Sequence, residues 1–154
     1  MAFKPINGYA VYDTITLIEV DLDSLLEEKI KLARNSFSQL YYNELTNPKI
    51  ILSYNFFIPE NYNKNKKYPL IVYIGDETTY GKEITLPVNK TVGGPIWATK
   101  LVQEEHNSFI FIPHFNENIL DIKEENIKND YLNIIIKMVF KIQNELNLDL
   151  NRIN

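Results

Sequence analysis

Residues 67–79 read KYPLIVYIGDETT. Within them, Leu70–Ile74 is an unbroken apolar run rich in β-branched and aromatic side chains. A strand with one wet face alternates apolar and polar residues. A strand covered on both faces, as in a parallel sheet under two layers of helices, does not. The run therefore predicts an interior strand. Gly75, Asp76, Glu77 and Thr78 follow it directly. Open α/β sheets bind ligands beyond the carboxyl ends of their strands, where backbone N–H groups can point into a cleft.

On the amino-terminal side, IILSYNFFIPENY predicts a strand from about Ile50 to Ile58, stopped by Pro59, with a polar turn after it. On the carboxyl side, a long polar loop carries Gly75, Gly81, Pro87, Gly93 and Gly94. PIWATKLVQEEHN then reads as a helix with Pro95 in its first turn. SFIFIP, residues 108–113, predicts a second buried strand ended by Pro113. Leu132, Ile135, Ile136, Val139, Ile142 and Leu146 share one helix face, with Asn129 or Asp130 as a cap. After Asn147 comes a polar turn, and Arg152-Ile153-Asn154 reads as the start of another strand.

The order from residue 50 onward is strand, strand, helix, strand, helix, strand. It predicts an α/β sheet with right-handed crossovers. Before it, residues 9–22 have strand composition with imperfect alternation. Residues 23–34 read either as a short helix capped by Asp23 or Ser24, or as an irregular connection. The expected organisation is a β-rich segment at 1–48 and an α/β domain at 49–154.

The chain has 154 residues, 45% hydrophobic and 23% charged, an ordinary globular balance. Its net charge is −4, from 16 basic and 20 acidic residues. The cluster Lys64, Lys66, Lys67 sits in a polar turn, so no basic stripe matches a phosphate backbone and no nucleic-acid partner is expected. Cysteine is absent, which excludes disulfides, Cys-ligated zinc and thiol catalysis. No apolar run approaches the ~20 residues that span a bilayer. The opening MAFKPINGYAVY lacks the apolar stretch of a signal peptide, so no membrane partner is expected and a cytoplasmic setting is the default.

No catalytic constellation is complete within these residues. The serines are Ser24, Ser36, Ser38, Ser53 and Ser108, and none lies on a G-x-S-x-G turn. Ser53 and Ser108 belong to predicted strands. His106 and His114 are not at H-E-x-x-H spacing. His106 reads as a helix C-cap, while His114 follows a buried strand and is a candidate for lining a cleft. Asp21, Asp23, Glu27 and Glu28 have no spacing that fixes a metal geometry, so neither metal nor cofactor is expected. Gly93-Gly94-Pro95 reads as a loop-to-helix turn outside any phosphate-binding motif.

LSYNFFIPENYNKNKKYPLIVYIGD, GGPIWAT, FIFIP and LNLDLNRI occur here in the order found in one group of proteins. They resemble the opening of α/β-hydrolase esterases and predicted peptidases, of the prolyl-oligopeptidase-like and polyhydroxybutyrate-depolymerase-like group. The resemblance covers about residues 50–154. It implies a partial α/β-hydrolase sheet and acyl transfer on a small ester or peptide substrate. The strand beginning at Arg152 would lead into the nucleophile elbow, so nucleophile, acid and histidine would all lie beyond this chain. What this chain would supply is oxyanion-hole N–H donors on Asp76 and Glu77, and cleft walls at Trp97 and His114. Gly75-Asp76-Glu77-Thr78 stands where the group commonly has His-Gly-x-Gly.

Two readings follow. One is the front half of a serine esterase or peptidase; the other is a non-catalytic α/β module, or a subunit completed by another chain. The resemblance also places Leu70–Ile74 between the Phe109–Ile112 strand and the strand begun at Arg152. With most of that neighbour missing, Leu70–Ile74 would present an open edge. Its expected partner is the missing half or a second copy of the chain.

Overall fold

The computed structural model describes residues 8–11, 17–20, 22–43, 51–118, 123 and 125–153. Strands β1 (Gly8–Val11) and β2 (Leu17–Val20) pair antiparallel as a separate two-stranded sheet. Then come α1 (Leu22–Arg34), β3 (Ser38–Asn43), β4 (Ile51–Phe57) and β5 (Tyr68–Val72). The β5-to-β6 connection holds 3-10 turns at Glu77–Thr79 and Pro95–Ala98, with short helices α2 (Leu86–Asn89) and α3 (Lys100–Glu105). β6 (Phe109–His114), α4 (Glu125–Glu145) and β7 (Leu148–Ile153) follow.

The main sheet has five strands in the order β3-β4-β6-β5-β7. β6, β5 and β7 run parallel, while β3–β4 and β4–β6 are antiparallel. From β5 the chain moves outward to β6, then crosses back over β5 to reach β7. Right-handed crossovers in opposite directions put their helices on opposite faces. Leu52, Phe56, Leu70, Phe109 and Phe111 accordingly pack against Ile134, Ile135, Met138 and Ile142 of α4. Phe57, Ile110 and Ile112, with Ile71 beside them, pack on Ala33 of α1, Phe37, Val88 of α2 and Ala98. Both sheet faces are dry, which is why the interior strands read as continuous apolar runs.

Several expectations need correction. The strand composition of residues 9–22 corresponds to two strands, Gly8–Val11 and Leu17–Val20. β3 was not legible, because its residues are nearly all exposed and leave no apolar periodicity. α1 and β3 join the main core and sheet: Ala33 packs under it, and β3 pairs with β4. α1 starts at Leu22 and α4 at Glu125, so the positions of Asp23, Ser24, Asn129 and Asp130 fall within the helices rather than before them. The helix expected from Pro95 is broken, because Thr99 is extended between the 3-10 turn and α3. β6 continues through Pro113 to His114. Pro113 is tolerated because β5 pairs only as far as Phe111, so its missing N–H costs no ladder bond on that side.

The last strand starts at Leu148, not Arg152. It lies beside β5, with Tyr68 opposite Leu148 and Leu70 opposite Ile153 across an irregular register. β7 thus lies beside β5 as far as Leu70, while the register carries the pairing no further along Leu70–Ile74. The outer sheet edges are those of β3 and β7.

A candidate active-site loop at the carboxyl end of β5

β5 ends at Val72, and Tyr73 N–H still donates to the Phe111 carbonyl at 3.0 Å. The chain then turns through Gly75. A Cβ there would collide with the Thr79 side chain, so this close approach requires glycine. Asp76 caps the 3-10 turn that follows. Its Oδ1 accepts from Thr78 N–H at 2.9 Å and from Thr78 Oγ1 at 2.6 Å. Both bonds favour the ionised form, so the carboxyl is held below its usual range. Thr79 N–H and Oγ1 both donate to the Asp76 carbonyl, at 3.0 and 2.6 Å. These bonds engage the N–H groups of Thr78 and Thr79, not those of Asp76 and Glu77. Gly75, Asp76, Glu77, Thr78, Tyr80 and Asn118 line an open depression of about 390 Å³ above this turn.

Past Tyr80 the loop folds back over the sheet. Gly81 N–H donates to the Phe115 carbonyl at 3.2 Å, and Asn55 Nδ2 donates to the Ile84 carbonyl at 2.7 Å. Beneath it lies His114, opposite Ser53 in the β4–β6 register and 4% exposed. Ser53 Oγ and His114 Nδ1 are 2.9 Å apart. Burial pulls the imidazole below its ordinary value of 6.5, opposed in part by the Gly81 backbone. His114 is thus a neutral ring at pH 7.

The predicted residues separate. Asp76 and Glu77 line the depression, while His114 is sealed under the loop and Trp97 is not part of the lining. Trp97 lies in the Pro95–Ala98 turn and is 38% exposed. Gly93 and Gly94 serve packing: a Cβ on Gly94 would sit 2.6 Å from Ile112 Cδ1 and 2.9 Å from Tyr73 Cδ1. His106 caps α3 as expected, donating its N–H to the Val102 carbonyl at 2.7 Å. Ser108 is buried and held by Gln103. Among the described residues, no group of three His, Asp or Glu can hold a metal ion.

The Ser53–His114 pair was not anticipated. The residues are 61 positions apart, and only the antiparallel register brings them together. Ser53 sits within a strand, not on a turn that would present its Oγ to a substrate. The pair as it stands is a structural hydrogen bond.

No protein-family model matches the chain, and no curated protein does. The strand order, the parallel β6-β5-β7 core and helices on both faces define the class: part of an α/β-hydrolase fold. Among solved structures, the chain is similar to a thermostable esterase with a TM-score of 0.69 and 25% identity. That match covers 79% of this chain and 34% of the esterase, so the chain spans about one third of the esterase's length. A Pyrococcus horikoshii acylaminoacyl peptidase aligns over 92% of this chain and 22% of its own, with 14% identity and a TM-score of 0.40. That second likeness is too loose to carry an argument.

Proposed function

We propose that this chain is the front part of a serine hydrolase of the carboxylesterase or peptidase type, and that it supplies the oxyanion-binding loop. The observation that carries the reading is β5 at the centre of an esterase-like parallel sheet, followed at once by the turn at Asp76-Glu77. In acyl transfer, negative charge develops on the former carbonyl oxygen. Main-chain N–H groups aimed at that oxygen lower the barrier without reorganising. Asp76 and Glu77 N–H groups are candidates because the turn's own hydrogen bonds use other donors.

An ionised Asp76 beside an oxyanion would be unfavourable if it faced it. Its carboxylate is instead turned onto Thr78, which supports the reading. Nucleophile, acid and general base then belong to a segment outside residues 1–154. The alternative is a non-catalytic α/β module, or a subunit completed by another chain.

The test is fluorophosphonate labelling of the protein isolated from its source cells through an amino-terminal tag. The expected result is a labelled serine in a G-x-S-x-G turn outside residues 1–154, in the same or a co-purifying polypeptide. No labelling favours the non-catalytic module, and labelling of Ser53 overturns the assignment of roles.

A further inference from the structure

The sheet face under the Gly81–Leu86 segment carries a polar group that packing alone does not explain. Ser53 and Asn55 of β4 and His114 of β6 lie on this face. Asn55 is fully buried and His114 is 4% exposed. Asn55 Nδ2 is satisfied by the Ile84 carbonyl, but Asn55 Oδ1 has no hydrogen-bond partner. His114 Nδ1 is satisfied by Ser53, but His114 Nε2 has none. The Gly81 backbone lies beside the ring, yet no hydrogen bond of standard geometry reaches Nε2. An acceptor and a ring nitrogen are thus both buried and unpartnered on the same face. A buried polar atom left so carries the full cost of its lost hydration.

The chemistry of the pair is complementary. A neutral imidazole has one donor and one acceptor nitrogen. If Ser53 Oγ–H donates to Nδ1, the proton sits on Nε2, which must then donate. Asn55 Oδ1 can only accept. In the register Ser53 is opposite His114 and Asn55 opposite Ile112, so Asn55 and His114 are diagonal neighbours. Such neighbours have Cα atoms ~7–8 Å apart, a span suited to one bridging water.

We propose that Ser53, His114 and Asn55 form a buried hydrogen-bonded chain, closed by one water between His114 Nε2–H and Asn55 Oδ1, that clamps the Gly75–Leu86 loop onto the sheet. Asn55 holds the loop through the Ile84 carbonyl, and the water fixes the Asn55 amide so that Nδ2 faces that carbonyl. Ser53 selects the His114 tautomer that donates to the water. These are positioning residues. They set where the turn at Asp76-Glu77 stands, and their role in catalysis rests on the oxyanion-loop reading. The clamp itself does not.

The experiment reads the clamp without activity. ¹⁵N NMR of the histidine rings in the full chain should show His114 as the neutral Nε2–H tautomer. Its ring proton should exchange slowly and show a cross-relaxation peak to a long-lived water. An Nδ1–H tautomer, or an Nε2 proton with no water contact, overturns the proposal. Hydrogen exchange supplies the second arm. Asn55→Leu and Ser53→Ala should each speed exchange of the Gly81 amide by roughly tenfold, while the β5–β6 ladder stays protected. Unchanged Gly81 exchange in both variants also overturns it. If Asn55→Leu does not fold, the wild-type ring spectrum and Ser53→Ala still decide. A confirmed clamp in a protein that fluorophosphonate does not label would separate this proposal from the hydrolase reading.

Discussion

At the scale of single residues, the loop is fixed by contacts with no slack. Gly94 is pressed against Ile112 and Tyr73, both packed on the sheet. Gly94→Ala should cost about 1–3 kcal/mol through overpacking. Urea unfolding would show it as a lower midpoint at constant slope, and an unchanged midpoint would mean that the contact yields freely. His114 gives a pH signature whose sign follows from its burial. Its folded pKa lies below 6.5, so the folded state binds fewer protons than the unfolded chain. Its contribution is fully present above pH 6.5 and is lost as pH falls from there toward the folded value. Thermal melts should therefore decline below about pH 6.5, more weakly in His114→Gln. Asp76 could be read from the sequence as part of a polar turn after a buried strand. The Ser53–His114 contact could not, because nothing local specifies register between strands 61 residues apart.

At the scale of elements, α4 shows what periodicity can and cannot say. The apolar pattern gave the helix, but it also included residues that the fold leaves exposed. Ile134, Ile135, Met138 and Ile142 are buried, whereas Leu132, Ile136 and Phe140 are exposed. The apolar stripe is wider than the sheet can cover, and contacts outside the helix decide its rotation. Lys141 lies over the Tyr42 ring of β3 at 5.2 Å, which turns that flank toward the β3 edge. Leu132, Ile136 and Phe140 are turned away from the sheet and stay exposed. Met138→Ala should cost ~2–5 kcal/mol, and Ile136→Lys less than ~0.5 kcal/mol in the folding of the single chain. Equal losses in denaturant melts would contradict this helix rotation. β3 and β7 were harder to read for the opposite reason: each lies at a sheet edge, where polar and charged residues interrupt the strand pattern.

At the scale of the whole molecule, the order of buried strands and helices was enough to give the α/β class. The position of β5 between β6 and β7 came from the family resemblance. The extent of β7 came from neither. That strand gives the sheet an outer edge at β7, where the 2.8 Å Asp149–Arg152 pair blunts strand addition. α4 also exposes Leu132, Ile136 and Phe140. We expect the isolated chain to self-associate through this surface, and Ile136→Lys with Phe140→Lys to weaken that association. A wild-type monomer at all micromolar concentrations in sedimentation would contradict the expectation. The oxyanion-loop reading has its own direct measurement. Glu77 is the first residue of its 3-10 turn, and Asp76 before it is extended at ψ −172°, a conformation that suits a following proline. Glu77→Pro therefore removes one backbone N–H and leaves the turn intact. In the protein isolated from its source cells, kcat for ester hydrolysis should fall about 10²–10³-fold with KM little changed. An unchanged kcat in a correctly folded Glu77→Pro variant would contradict the placement of the oxyanion donors.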